Sequence, residues 1–280
     1  MIIKRKLEIA VISDVHLGTT GCKAKKLLSY LNNIEPKKII LNGDIIDTWQ
    51  LNEQNFPKQH LKVIKKIIDM AASGVEVIYL TGNHDEFLRK FTGTTIWNIS
   101  IVDKKVMDLN GKKAWFFHGD VFDMPTKNME WLAKLGHFGY QILFFLNRGY
   151  NWFLLGLGKE KHSKSKIIKR NTKYGNKFLN NFEKIVSNLA IENGYDYAVC
   201  GHIHQPKMEI KETKHGQTLY LNSGDWLDHF TALEYQFKRW KLYHYNKDKL
   251  APFYVDEDEK DLEIKDLIAA ITIIKQQKKN

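Results

Sequence analysis

An α/β fold is what this sequence predicts, and three observations predict it. Five runs of strand length are rich in Val, Ile, Leu, Tyr, Trp or Phe. Each of the five is followed at once by a short cluster of His, Asp or Asn. The chain has 280 residues with no internal repeat and no low-complexity linker, enough to bury a full core as one domain, residues 1–255, with 256–280 as a C-terminal tail. In α/β sheets ligands gather beyond the carboxyl ends of strands, so five strands can deliver their polar clusters to one rim.

Leu7 to Ser13 is the first run and ends in Asp14-Val15-His16. Lys38 to Asn42 leads into Gly43-Asp44-Ile45-Ile46-Asp47, and Val75 to Thr81 into Gly82-Asn83-His84-Asp85. Lys113 to Phe117 precedes His118-Gly119-Asp120, and Tyr197 to Cys200 precedes Gly201-His202-Ile203-His204. Glycines 43, 82 and 201 suit sharp turns, with positive φ or close backbone approach. Further on, Leu219 to Asn222 and Thr231 to Tyr235 read as strands. Alternating aromatic and basic residues from Phe237 to Tyr245 read as a hairpin strand with one packed and one solvated face.

Asp14, His16, Asp44, Asn83, His118, His202 and His204 are more donors than one four- to six-coordinate ion can use. Two divalent ions sharing a carboxylate fit the set, and Asp44 is the natural bridge because a carboxylate can bind two ions at once. Mixed imidazole, carboxylate and amide donors suit Mn, Fe or Zn rather than Mg or Ca, and no thiolate is included. Two ions about 3.5 to 4 Å apart lower the pKa of water from about 15.7 towards 7 and stabilise charge on a phosphoryl oxygen. His84 would then face the substrate, protonating a leaving oxygen or holding a phosphate charge. Asp85 would orient its imidazole.

The series D-x-H, G-D-x-x-D, G-N-H-D, H-G-D and G-H-x-H, over roughly residues 7 to 235, resembles the calcineurin-like metallophosphoesterase superfamily. The resemblance implies a sandwich of two mixed sheets flanked by helices (α/β/β/α). It puts Asp14, His16, Asp44 and His204 on one metal, and Asp44, Asn83, His118 and His202 on the other. With Asp14-Val15-His16-Leu17-Gly18, Gly43 to Trp49, the Ser163-Lys164-Ser165 stretch, Gly201 to Pro206 and Gly224-Asp225-Trp226, the likeness narrows to the UDP-2,3-diacylglucosamine pyrophosphohydrolase branch. That branch implies Mn dependence, release of UMP from a lipid A precursor, and a peripheral place on the inner membrane. The chain departs from it at His84, where Arg is usual.

Between the fourth and fifth clusters, residues 125–175 read as an inserted helical cap. Its large apolar residues, Trp131 to Leu155, exceed what one helix face can bury, and Asn147, Arg148 and Asn151 interrupt them, so no membrane-spanning run is formed. Apolar surface for a lipid, packing on the core and a dimer contact all accommodate the pattern. A stretch rich in Lys follows, and Ser163, Lys164, Lys166 and Lys169 are its candidate substrate-binding residues, facing a phosphorylated lipid, a sugar nucleotide or an anionic membrane surface. The net charge of +11 favours anionic partners. Because the basic density clusters in one insert rather than along a groove, nucleic acid is the weaker reading, left to a soluble phosphodiesterase or nuclease as the alternative. Met1 to Lys6 runs straight into the first strand with no separate apolar segment, and two cysteines make no disulfide framework, so a cytoplasmic enzyme is expected. Residues 256–263 are acidic and precede an amphipathic segment, Leu262 to Ile274.

Overall fold

The computed structural model describes residues 4–48, 56–123 and 173–251. The larger sheet has seven strands in the order β12-β11-β1-β2-β3-β5-β4, the smaller five in the order β6-β7-β8-β10-β9. In the larger sheet β1 (Arg5–Ile12), β2 (Ile34–Asn42), β3 (Glu76–Leu80) and β5 (Ile99–Val102) are parallel. β4 (Thr95–Ile96), β11 (Thr231–Gln236) and β12 (Arg239–His244) complete it in antiparallel pairs. In the smaller sheet β7 (Lys112–Phe117), β8 (Tyr197–Cys200) and β10 (Gly216–Asn222) are parallel, flanked by antiparallel β6 (Lys104–Leu109) and β9 (Lys207–Thr213). Both sheets are mixed, as the resemblance implied.

Strand alternation sorts the core into layers. Ile9 and Val11 of β1 face the smaller sheet, where they meet Phe116, Val199 and Leu221. Ala10 and Ile12 face outwards and are covered by α1 (Ala24–Asn32) and α2 (Lys58–Ala72). Val63, Ile67, Met70 and Ala71 repeat at helical spacing and turn one side of α2 inwards. On the far face, Phe182, Val186, Leu189 and Ala190 of α3 (Lys173–Glu192) pack on Trp115, Phe117 and Ala198. The result is helix, sheet, sheet, helix.

Helix α3 begins at the end of the span read as a cap, and its described side chains, from Leu179 onwards, lie beyond that span and pack in the core. The rest of that span, with Ser163, Lys164, Lys166 and Lys169, lies outside the described residues, as does the tail. Among the described residues no helix is long and apolar enough to cross a membrane. The parallel strands of the two sheets bring their carboxyl ends to one rim. There Ser13 at the end of β1 and Ser223 at the end of β10 join hydroxyls at 2.6 Å across the sandwich.

Candidate metal centre

Three of the loops leaving the rim, those after β1, β2 and β8, are bent sharply at residues that would carry metal. Asp14, His16, Asp44, His202 and His204 all have left-handed backbones, with φ of 52°, 53°, 54°, 68° and 53°. An L-residue held there is strained by about 1 to 3 kcal/mol and persists only where its surroundings fix it. Hydrogen bonds do the fixing. The Val15 and His16 amides both donate to the Asp44 carbonyl at 2.9 Å, and the Asp14 amide donates to the Gly43 carbonyl at 3.1 Å. The carboxylates are held the same way: the His84 amide donates to Asp44 Oδ1 at 2.8 Å, and the His202 amide to Asp14 Oδ2 at 3.0 Å. Glycine is needed where backbone passes beneath these acids. A Cβ on Gly82 would overlap Asp44 Oδ1, and one on Gly201 would sit 2.6 Å from Asp14 Oδ2.

Three imidazoles, those of His118, His16 and His204, share one orientation, with Nε2 turned to a carboxylate of the centre and Nδ1 held from outside. His118 Nε2 lies 3.3 Å from Asp44 Oδ2 while its Nδ1 is 2.8 Å from the Asn42 carbonyl. His16 Nε2 lies 3.9 Å from Asp44 Oδ2, with Nδ1 3.4 Å from Asp47. His204 Nε2 lies 3.2 Å from Asp14 Oδ1, with Nδ1 3.6 Å from Asp225. An outer acceptor that claims Nδ1–H leaves Nε2 as a lone-pair donor, which is how metal-binding imidazoles are held. Among the described residues three clusters have ligand atoms mutually within 4.8 Å: Asp14, His16 and His204; Asp44, His118 and His202; and His16, Asp44 and His84.

Buried donors without partners test whether ions fit. His16 Nε2, His118 Nε2 and Asn83 Oδ1 are buried with no hydrogen-bond partner among the described residues. Such atoms are costly unless something else binds them. All three lie in the candidate set, and the donor mixture suits a transition metal. Electrostatics agrees. Burial would raise the Asp44 carboxyl, but His118 beside it outweighs that and holds it well below the usual range. Asp14 is lowered against the same burial cost by His204. Burial depresses His204, yet Asp14 lifts it to about 10, and Asp44 lifts buried His118 well above its ordinary value. The paired shifts of Asp14 with His204 and of Asp44 with His118 show that the buried carboxylates favour positive charge at the centre.

One expectation is corrected. Asp85 does not serve as the orienting carboxylate of His84: its Oδ2 accepts from the Ile45 amide at 2.9 Å and the Tyr79 hydroxyl at 2.6 Å, and its Oδ1 from the Gly82 amide at 2.6 Å. It braces the loop beneath the centre, and burial together with the Asp44 charge raises its pKa.

 It is Asp47, the last residue of G-D-I-I-D, that lies 3.0 Å from His84 Nδ1. Asp47 also meets His16, and despite burial these two imidazoles keep its carboxyl far below the usual range. Asp225 is a second acid that the sequence did not single out for a role. Its Oδ1 accepts the amides of Leu227, Asp228 and His229, and its Oδ2 lies 2.6 Å from His229 Nδ1 as well as near His204. A third feature joins the loops themselves: Arg89, just past Asp85, pairs with Asp120 of H-G-D at 2.6 Å. His60 accepts the Gly18 amide and is structural.

Residues 7–206 match the family model described as calcineurin-like phosphoesterase. Three curated relatives are similar over most of the chain, and each is named UDP-2,3-diacylglucosamine hydrolase. The protein from Blochmanniella pennsylvanica is 26% identical over 81% of this chain and 92% of its own. That from Aliivibrio fischeri is 26% identical over 85% and 98%. The Wigglesworthia glossinidia brevipalpis protein is 24% identical over 71% and 80%.

Proposed function

This chain belongs to the calcineurin-like phosphoesterase family and is a metal-dependent phosphoesterase; from that membership we propose that it splits the pyrophosphate of a diacylated sugar nucleotide, UDP-2,3-diacylglucosamine or a close analogue, releasing UMP. The relatives' name supplies the substrate class. The observation that carries the chemistry is the shared orientation of His16, His118 and His204, Nε2 towards Asp44 or Asp14 and Nδ1 tied outside.

Asp14, His16, Asp44 and His204 would hold one divalent ion, and Asp44, Asn83, His118 and His202 the other, with manganese as the proposed metal. When bound, two such ions supply a water of lowered pKa and offset charge on the phosphoryl oxygens. The chain's own part is positioning and proton transfer. Asp47 holds His84 Nδ1–H, and the doubly protonated imidazole would deliver its Nε2 proton to the departing oxygen. The Arg89 and Asp120 pair ties the loop carrying Asn83 and His84 to the loop carrying His118, so the two sheets keep one geometry at the rim. Ser163, Lys164, Lys166 and Lys169 are the proposed contacts to the substrate phosphates or to an anionic lipid surface.

The test is to incubate purified protein and Mn with UDP-2,3-diacylglucosamine beside a generic aryl phosphodiester. Rapid UMP release from the lipid is expected. Diester turnover without UMP release would overturn the substrate and leave only the general hydrolase.

A further inference from the structure

The smaller sheet overhangs the larger one on one side, and the overhang is apolar. β12 is an edge strand of the larger sheet, and its Trp240 packs over Tyr197 of β8 with ring centroids 6.1 Å apart. β10 and then β9 lie beyond β8. On β9, Lys207 and Lys211 turn to Glu183 of α3, at 2.7 and 2.9 Å. Met208 and Ile210 alternate with them and therefore face the opposite way, in register with Leu221 and Leu219 of β10. Leu221 is buried, but Met208 is 45% and Ile210 60% exposed. An edge strand with an uncovered apolar face is a template for unwanted pairing, and stable proteins cover it.

The described chain leaves the fold at the β12 edge of the larger sheet, where Asp248 meets Arg5 and the Tyr243 hydroxyl. After β12 it turns through Tyr245–Lys247 and returns to a cleft lined by Lys241, Leu242, Lys247, Lys249 and Leu250, the last 58% exposed. The residues that follow are complementary in charge: Asp256, Glu257, Asp258 and Glu259. Beyond them Ile264, Leu267, Ile268, Ile271 and Ile274 recur at the spacing of one helix face. The stretch from residue 251 to 262, extended, reaches roughly 36 Å, ample to cross from the edge of one sheet to the edge of the other.

We propose that the C-terminal segment 262–274 of the same chain covers the overhang, laying its apolar face on Met208 and Ile210 while residues 256–259 pass the lysines of the cleft. Charge complementarity at the exit, the reach of the connecting residues and the exit's place after β12, the edge strand whose Trp240 packs over β8, together favour this occupant. The docking does not depend on the substrate, so it stands or falls apart from the proposed hydrolysis.

The experiment uses the full chain with Ile210→p-benzoylphenylalanine, prepared as a mixture of light and nitrogen-15-labelled protein and photolysed. Cross-links from position 210 to residues 262–274 within one chain are expected. Cross-links between chains, cross-links to residues 124–172, or none at all would overturn the proposal. A second measurement guards against a misleading probe. In full-length Leu267→Asp with Ile271→Asp, amide exchange across residues 207–213 should quicken by about 10-fold or more, and unchanged exchange would overturn the docking.

Discussion

The two ends of this sandwich use the same backbone conformation for opposite purposes. At the end away from the rim, left-handed residues sit in tight hairpin turns. Asn110 precedes Gly111 between β6 and β7, and Phe237 with Lys238, φ 52° and 58°, forms the whole connection of β11 to β12. Phe237 is 81% exposed and Trp97, in the turn before β5, is 80% exposed. At the rim, the left-handed residues are the buried Phe230 and five candidate ligands, Asp14, His16, Asp44, His202 and His204, four of these five buried and His204 partly so. At one end the strain closes a turn in solvent. At the other it aims polar side chains into a charged, enclosed centre, and only a function accounts for holding it there.

If that contrast is right, changes at the rim should cost activity and changes at the far end should not. The largest effect expected short of dismantling the centre is at His84. His84→Ala should keep both metals and lower turnover about 100- to 10,000-fold, as for loss of a general acid. Elemental analysis beside steady-state kinetics checks it. Because His84 also lies within ligand distance of His16 and Asp44, lost metal would make it a ligand instead. Gly82→Ala comes next. The new methyl group would press on Asp44, and displacing a catalytic group by about 1 Å costs roughly 100-fold. Wild-type turnover in that variant would mean the rim has more slack than its packing indicates.

A pH series sharpens the comparison further. Burial depresses His204, but Asp14 lifts it from 6.5 to about 10 in the metal-free protein. A raised folded-state pKa stabilises the fold fully below the unfolded value, and that stabilisation is lost as pH rises through the folded value. Metal-free protein should therefore lose stability between pH 6.5 and about 10. Metal-loaded protein, with the charge supplied by ions, should not. The gap in Tm between loaded and chelated samples should widen over that window; a constant gap would contradict the contact of His204 with Asp14. The smallest effect belongs to the far end. Phe237→Asn with Lys238→Gly supplies the residues such a two-residue turn prefers. It should stabilise the protein by on the order of 1 kcal/mol, by relief of strain, with turnover unchanged.

Much of the rim was legible because its chemistry is written in short clusters directly after strand-forming runs, from Asp14-Val15-His16 to His202-Ile203-His204. Which acid serves which imidazole was not. Asp47 and Asp85 both stand in motifs beside the centre, and only the folded loop decides, by turning Asp85 onto the amides of Ile45 and Gly82 and leaving Asp47 for His84. Asp225 follows a similar logic: Gly224-Asp225-Trp226 marked the segment, yet its meeting with His204 depends on the rim bringing distant loops together. Among the strands, the short β4 and β5 carry no polar cluster and escaped notice, and β6 and β9 did so because they are edges. Their lysines, glutamates and aspartate, as in Lys207 to Thr213, read as solvated loop until pairing partners are known. α1 and α2 carry many lysines, and their apolar stripes acquire meaning only against the sheet they cover.

The central claim is that the rim holds two ions through one shared carboxylate, and the metal content of Asp44→Ala measures it most directly. Wild-type protein loaded with manganese and dialysed should retain two ions per chain, and Asp44→Ala, folded by circular dichroism, should retain neither and have no turnover. Two tightly bound ions in Asp44→Ala would contradict the account.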